Sequence, residues 1–217
     1  MVKFDINVMY DAFVRVLIAN LPGKERILDI GSGDCSFRNI YPFVDSQITF
    51  TDLKDSDGLY FQKAMKELKD NEYYKFVETS AEDLSMFPDG SFDMVTMLSV
   101  VEHLTLEQQE KCFSEVYRVL SPAGLFVLAA PNREGRKLVN KYMKHPGHIE
   151  EPSFDEINNL LIKHNFKIIN ENDVGIIRLT KSDYNKIQVD PVLHADASAS
   201  YCMWLICAKD NGEKHYG

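Results

Sequence analysis

The chain has 217 residues, 45% hydrophobic and 26% charged, an ordinary balance for a soluble globular protein and a length suited to one well-buried α/β core rather than two. The formal net charge of -9 disfavours a general polyanion-binding surface, because affinity for phosphate backbones needs clustered lysine and arginine. The exception is a local basic stretch, "NREGRKLVNKYMKH", at 132–145. Cys35, Cys112, Cys202 and Cys207 include no C-x-x-C pair and are expected to be reduced, mostly buried thiols that form no metal cage. "MVKFDINVMYD" at the start lacks the apolar stretch of a signal peptide, and no run approaches membrane-spanning length. A cytoplasmic location is expected.

In chain order, "VMYDAFVRVLIANL" (8–21) carries a helical stripe closed by "PG" at 22–23. "RILDIG" predicts a strand, and "SFRNIYPFV" a helix started by Ser36. "QITFTDL" (47–53) is a second strand, "LYFQKAMKELKD" (59–70) a helix and "YYKFVET" (73–79) a third strand. "PDGSFDMVTMLSV" (88–100) turns into a nearly continuous apolar strand, the pattern of a parallel sheet covered on both faces.

Thr105 opens a long helix, with Gln108 spaced for a capping box. The stripe expected on it is Leu106, Phe113, Val116, Tyr117 and Leu120, ended by "SPAG" at 121–124. "LFVLAAPN" (125–132) is a fifth strand, and Ser153 with Glu156 starts another capped helix bearing Phe154, Ile157, Leu160 and Leu161. "NFKIINENDV" and "ASYCMWLICAKD" (199–210) are late strands with roughly 20 irregular residues between them. Strand and helix alternate at least five times, which predicts a doubly wound parallel α/β sheet. No linker or repeat divides the chain, so a single domain over 1–217 is expected.

Ligands of such sheets sit beyond the carboxyl ends of the strands, where strand order reverses. After the first strand come Gly31, Ser32 and Gly33, whose missing side chains admit a ligand to the backbone. Asp52 follows about 20 residues later, the spacing of a carboxylate that holds ribose hydroxyls. Dehydrogenases and S-adenosylmethionine enzymes share that combination. The dinucleotide fingerprint G-x-G-x-x-G fails at Ser36, and the looser G-x-G-x-G meets Cys35. Asp29, between Leu28 and Ile30 in a buried strand, needs a partner, since an unpaired buried charge is costly. Either it bonds nearby amides or it faces a cationic ligand group such as an amino-acid ammonium. After the third strand, Asp83 with the amide of Leu84 offers an acceptor and a donor to an adenine edge; the same acid equally suits a helix cap. "LSVVEHL" (98–104) places Ser99 and Val100 at the pocket mouth, with Glu102 and His103 just behind.

The motifs "ILDIGSGDCSF", "FTDL", "SAEDLSMFPDGSFDMVTMLSVVEHL" and "EVYRVLSPAGLFVLAAPN", followed by "GHIEEPSFDEINNLLIKHNFKI", together resemble a class I S-adenosylmethionine-dependent methyltransferase, in the branch that includes quinone-biosynthesis and many small-molecule enzymes. The resemblance covers most of residues 26–169. It implies a Rossmann-like, mostly parallel seven-stranded sheet whose last strand, "YCMWLICAK", runs antiparallel. It implies S-adenosyl-L-methionine as cofactor, with Asp29, Gly31, Ser32 and Gly33 around its methionine part. Asp52 and Leu53 would then lie at the ribose, Glu82, Asp83 and Leu84 at the adenine, and Ser99 and Val100 at the methionine end. Cys35 replaces a usual glycine and is small enough for close approach.

Some relatives carry E-x-x-E-H after the fourth strand and bind magnesium there. This chain has Ser99-Val100-Val101-Glu102-His103, so a hard cation lacks one of its oxygen ligands, and no metal is expected. A base for the acceptor is sought in His103 and His148, each with a plain alternative as a helix-start or exposed loop residue; His145 and Glu150 are weaker candidates. Tyr10 and Phe13, within an N-terminal helix or lid at 1–25, and a specificity loop at 175–200 complete the expected acceptor side. The function implied is methyl transfer to a small molecule, at oxygen by preference. The rivals are an RNA 2′-O-methyltransferase-like enzyme without the full metal site, a non-catalytic cofactor-binding protein and a nicotinamide-dependent reductase.

Overall fold

A computed structural model describes residues 26–33, 35, 46–53, 59–69, 71–137, 147–169, 178–179, 189–190 and 202–210. The expected helices at 8–21 and 36–44, Tyr10, Phe13, His145 and most of the 175–200 segment lie outside the described residues. The described strands are β1 (Arg26–Ile30), β2 (Gln47–Asp52), β3 (Tyr74–Glu78), β4 (Phe92–Leu98), β5 (Leu120–Pro131), β6 (Phe166–Ile168), β7 (Arg178–Leu179), β8 (Val189–Asp190) and β9 (Cys202–Lys209). The helices are α1 (Leu59–Leu68), α2 (Leu106–Val119), α3 (Arg133–Lys137) and α4 (Phe154–Lys163), with a single 3-10 turn at Val101–His103.

Seven strands form one sheet in the order β3-β2-β1-β4-β5-β9-β6. β1 pairs in parallel with β2 and β4, β2 with β3, and β4 with β5; β9 runs antiparallel to both β5 and β6. The expected fold class is therefore the observed one. β7 and β8 form a separate antiparallel ribbon inside the segment read as irregular.

Strand alternation splits the apolar residues between the two faces. Phe126, Leu128, Met203 and Leu205 join one cluster, where Phe113 and Val116 of α2 and Ile157 and Leu161 of α4 pack. Val127, Trp204 and Ile206 join the other, with Ile27, Ile48, Phe50 and Leu68 of α1. A sheet apolar on both faces is the parallel-sheet signature that β4 and β5 show in sequence.

Both expected capping boxes form: the hydroxyls of Thr105 and Ser153 accept from the amides of Gln108 and Glu156, whose side chains accept in return. The α2 stripe differs from expectation at its start. Leu106 is 65% exposed, whereas Gln109, Cys112 and Val119 are buried. "SPAG" also departs from its expected role, because α2 stops one residue earlier and the four residues bulge within β5. Phe92 stands opposite Leu120 but Met94 opposite Leu125, an insertion that an edge of a ladder tolerates.

Strand order reverses between β1 and β4, so the crevice for a ligand lies above their carboxyl ends. The residues following β1 to β4 all reach it.

Candidate active site

The first wall of the crevice is built mostly from backbone. Beyond Ile30 the amides of Gly31 and Ser32 both donate to the Thr51 carbonyl, at 2.8 and 3.0 Å. This bend needs φ of +67° at Gly31 and +54° at Gly33. A Cβ on Gly31 would stand 2.4 Å from Cγ2 of Val100, whereas one on Gly33 would meet nothing within 4 Å. Cys35 also adopts a left-handed φ of 59°, which explains why glycine is usual there. Its side chain is fully buried, with Sγ 3.7 Å from the Ser32 hydroxyl.

Asp52 ties the first two loops together. Its Oδ2 accepts from the Gly33 amide and its Oδ1 from the Leu53 amide, both at 2.7 Å, and its carbonyl accepts from the Thr79 amide. A carboxylate has about four lone-pair directions, so these bonds leave acceptor capacity towards the crevice. Asp29 has its partner in the neighbouring strand: it pairs in register with Thr96, whose hydroxyl donates to Oδ1 at 2.6 Å. Burial pushes this acid up to about 7; the Thr96 bond opposes the rise and the Asp52 charge adds to it.

The third-strand turn is held by internal hydrogen bonds. Thr79, Ser80, Ala81 and Glu82 line the crevice, and Asp83 and Leu84 each hold partners within the protein. The Asp83 carboxylate accepts from the amide and hydroxyl of Ser85, and both bonds hold its pKa down. The Leu84 amide donates to Glu115. Glu115 in turn grips Arg118, which donates to the carbonyls of Leu84 and Phe87. An arginine fork can satisfy several acceptors at once, so α2 clamps the turn from behind. Glu115 and Arg118 sit at i and i+3 in "EVYRVL", a spacing that marks a helical pair and gives no hint of the distant turn it holds.

The opposite wall comes from the loops after β4 and β5. Ser99 takes a left-handed φ of 59° and its amide donates to the Ala129 carbonyl. The following 3-10 turn turns Glu102 inwards, only 2% exposed, with Oε2 lacking a hydrogen-bond partner. Burial raises this acid to about 7; its own amide opposes the shift, the Glu151 charge adds to it and Arg136 counters it. The amides of Ile149 and Glu150 donate to the Glu102 carbonyl and dock the 147–153 loop against the turn.

That docking brings the two candidate histidines together. Their rings meet edge-on with centroids 4.9 Å apart. Nδ1 of His103 bonds the Gly147 carbonyl at 2.8 Å. Nδ1 of His148 bonds Oε1 of Glu151, a buried carboxylate that also accepts from Arg136 of α3 at 2.7 Å. Glu151 and Arg136 were not among the expected site residues. The acid stands in "HIEE", but its partner reaches it only through the fold. The Glu150 side chain is exposed.

The two walls enclose a cavity of about 490 Å³, within the range of small-ligand sites. Gly31, Gly33, Asp52, Leu53, Glu82, Ser99, Val100 and His103 all line it, together with Thr79, Leu104, Gln108 and Ile149, which sequence reasoning had not selected. Gln108 reaches it by donating to Glu82 at 3.0 Å. Asp29, Ser32, Asp83, Leu84 and His148 are not part of this lining.

A loop of left-handed glycines, a ribose-spaced acid and a cavity at the switch point define a nucleoside-cofactor fold of the methyl-donor type. Residues 28–128 match the methyltransferase domain family. The matched region, just under half of the chain, resembles class I S-adenosylmethionine-dependent methyltransferases, whose cofactor is S-adenosylmethionine. It is 30% identical over 103 residues to thiol S-methyltransferase TMT1B of Homo sapiens, covering 48% of this chain and 41% of the relative. It is 33% identical over 141 residues to the ubiquinone/menaquinone biosynthesis C-methyltransferase UbiE of Rickettsia bellii, covering 62% and 54%. The chain thus spans about half the length of the curated relatives it matches. A SAM-dependent methyltransferase from Archaeoglobus fulgidus shares the fold with a TM-score of 0.67 and 20% identity, over 94% of this chain and 95% of that one. No helix among the described residues is long and apolar enough to cross a membrane.

Proposed function

We propose that this chain transfers the methyl group of S-adenosylmethionine to a small-molecule acceptor held in the 490 Å³ cavity. The observation that carries the proposal is one continuous space lined by Gly31, Gly33 and Asp52 on one side and by His103 on the other. The cofactor, when bound, supplies an electrophilic methyl on a sulfonium. Gly31 and Gly33 admit its methionine part to the backbone, with Ser32 framing the bend. Asp29 sits behind them as the carboxylate for an ammonium. Asp52 accepts from ribose hydroxyls, with Leu53 flanking. Ala81 and Glu82 form the adenine side, while Asp83 and Leu84 hold the turn in shape through Ser85 and Glu115. Ser99 and Val100 close the methionine end.

The protein's remaining task is to align an acceptor behind the methyl and exclude water. His103 is placed to meet the acceptor, and His148 supports it from the second row. Relatives differ in acceptor atom: the human relative's name specifies a thiol and the Rickettsia relative's a carbon. An oxygen acceptor remains the preference here because a hydroxyl profits most from a neighbouring imidazole.

The test is a thermal-shift comparison with S-adenosylhomocysteine, S-adenosylmethionine and NAD, followed by labelled-methyl transfer to panels of phenols, quinols and thiols. A ligand at about 100 times its Kd stabilises by roughly 2.7 kcal/mol, a shift of roughly 5–10 °C for a domain of this size. A shift with NAD alone overturns the proposal, as does cofactor binding with no transfer to any panel member.

A further inference from the structure

We propose that Glu102, His103 and His148 form a binding site for a first-row transition dication of the zinc type, beside the cavity where His103 lines it. As the side chains stand, one donor atom from each lies within 4.8 Å of the other two. Around a zinc-sized ion, with bonds of about 2.0–2.2 Å, donors sit roughly 3–4 Å apart. The closure required is at most about 1–2 Å, and His103 is the exposed member of the three.

The state of each donor points to a cation. Oε2 of Glu102 is buried and has no hydrogen-bond partner, an arrangement that costs free energy unless something positive meets it. Both imidazoles are anchored through Nδ1, one to the Gly147 carbonyl and the other to the Glu151 carboxylate. An acceptor at Nδ1 fixes the proton there and leaves the lone pair of a neutral ring on Nε2. This is how metal-ligating histidines are oriented: a carboxylate or carbonyl behind the ring sets the tautomer and raises its basicity. Arg136 holds Glu151 in place, so the support extends two residues behind the ligand.

The donor set also selects the metal. The expectation of no metal rested on Ser99, where a carboxylate would be needed for magnesium. That objection stands for a hard ion, which takes oxygen ligands. Two imidazoles and one carboxylate instead suit zinc, cobalt or manganese, with positions left open for an acceptor. A hydroxyl or thiol coordinated there has its pKa lowered.

This inference does not rest on the methyl-transfer proposal, and its test is read without it. Tag-free protein is stripped with chelator and titrated with Co²⁺, following the visible d–d bands, and then challenged with Zn²⁺ and Mg²⁺. The expected result is saturation at one equivalent, displacement by Zn²⁺ and none by Mg²⁺ at equal concentration. Glu102→Gln, His103→Ala and His148→Ala each weaken cobalt affinity at least tenfold. Glu151→Gln weakens it roughly 10-fold by disorienting His148. His164→Gln, on the surface beside Glu110, leaves it unchanged. Far-UV circular dichroism melts confirm that each variant is folded. Absence of d–d bands in the wild type, equal displacement by Mg²⁺, or unchanged affinity in the three ligand variants overturns the inference.

Discussion

The two walls of the cavity are made of different materials. On the β1–β2 side the decisive contacts are amides and carbonyls: Gly31 and Ser32 to Thr51, and Gly33 and Leu53 to Asp52. On the β4–β5 side they are side chains from two loops, Glu102 and His103 meeting His148, with Glu151 and Arg136 behind. The first wall follows from how a parallel strand ends, so any chain that makes the strand and the glycine bend makes the wall. The second depends on which side chains two loops carry and how they dock.

The strongest way to break the first wall is Gly31→Ala. Its Cβ would overlap Val100 in a left-handed backbone, costing about 2–5 kcal/mol and abolishing the thermal shift with S-adenosylhomocysteine. The expected Tm loss is read directly by calorimetry.

Asp29→Asn acts through pH. Because burial raises the folded acid to about 7 from 3.8, the native state binds a proton that the unfolded chain has released. Asp29 therefore destabilises the fold progressively as pH rises from about 4 through 7, and the cost is complete above that. The variant should be more stable than wild type at pH 8, by roughly 4 kcal/mol, with the gain vanishing near pH 4 in denaturant titrations. If Asp29 meets the cofactor ammonium, the same variant binds S-adenosylhomocysteine more weakly despite its added stability.

Asp52→Ala removes the acceptor shared by two loops. Charge-assisted hydrogen bonds contribute about 1.5–3 kcal/mol, so cofactor affinity measured by calorimetric titration should fall about 10–100-fold. Glu151→Gln sharpens the contrast from the other side: it costs about 1–2 kcal/mol of stability yet leaves the cofactor-induced shift at its wild-type size. Cys35→Gly should do least. Relief of the left-handed backbone offsets the lost burial and the added freedom of the unfolded chain, for a net change within about 1 kcal/mol.

The sequence by itself determined the fold class, the chain order of the seven strands of the main sheet, both capped helices and the glycine bend after β1. These rest on local rules: alternation set by burial on both sheet faces, Thr105 and Ser153 three residues before their partners, and glycines where the chain must turn left-handed. It also singled out His103 and His148 one at a time. Only the tertiary structure decided that their rings touch, that Glu102 is buried with an unpartnered oxygen, and that Arg136 braces Glu151. It alone showed that Asp83 and Leu84 are engaged by Ser85 and Glu115. Each of these facts depends on docking between segments distant in the chain, 44 residues in the case of His103 and Gly147. No local periodicity encodes such a meeting, because its geometry is set by the packing of whole elements against the sheet.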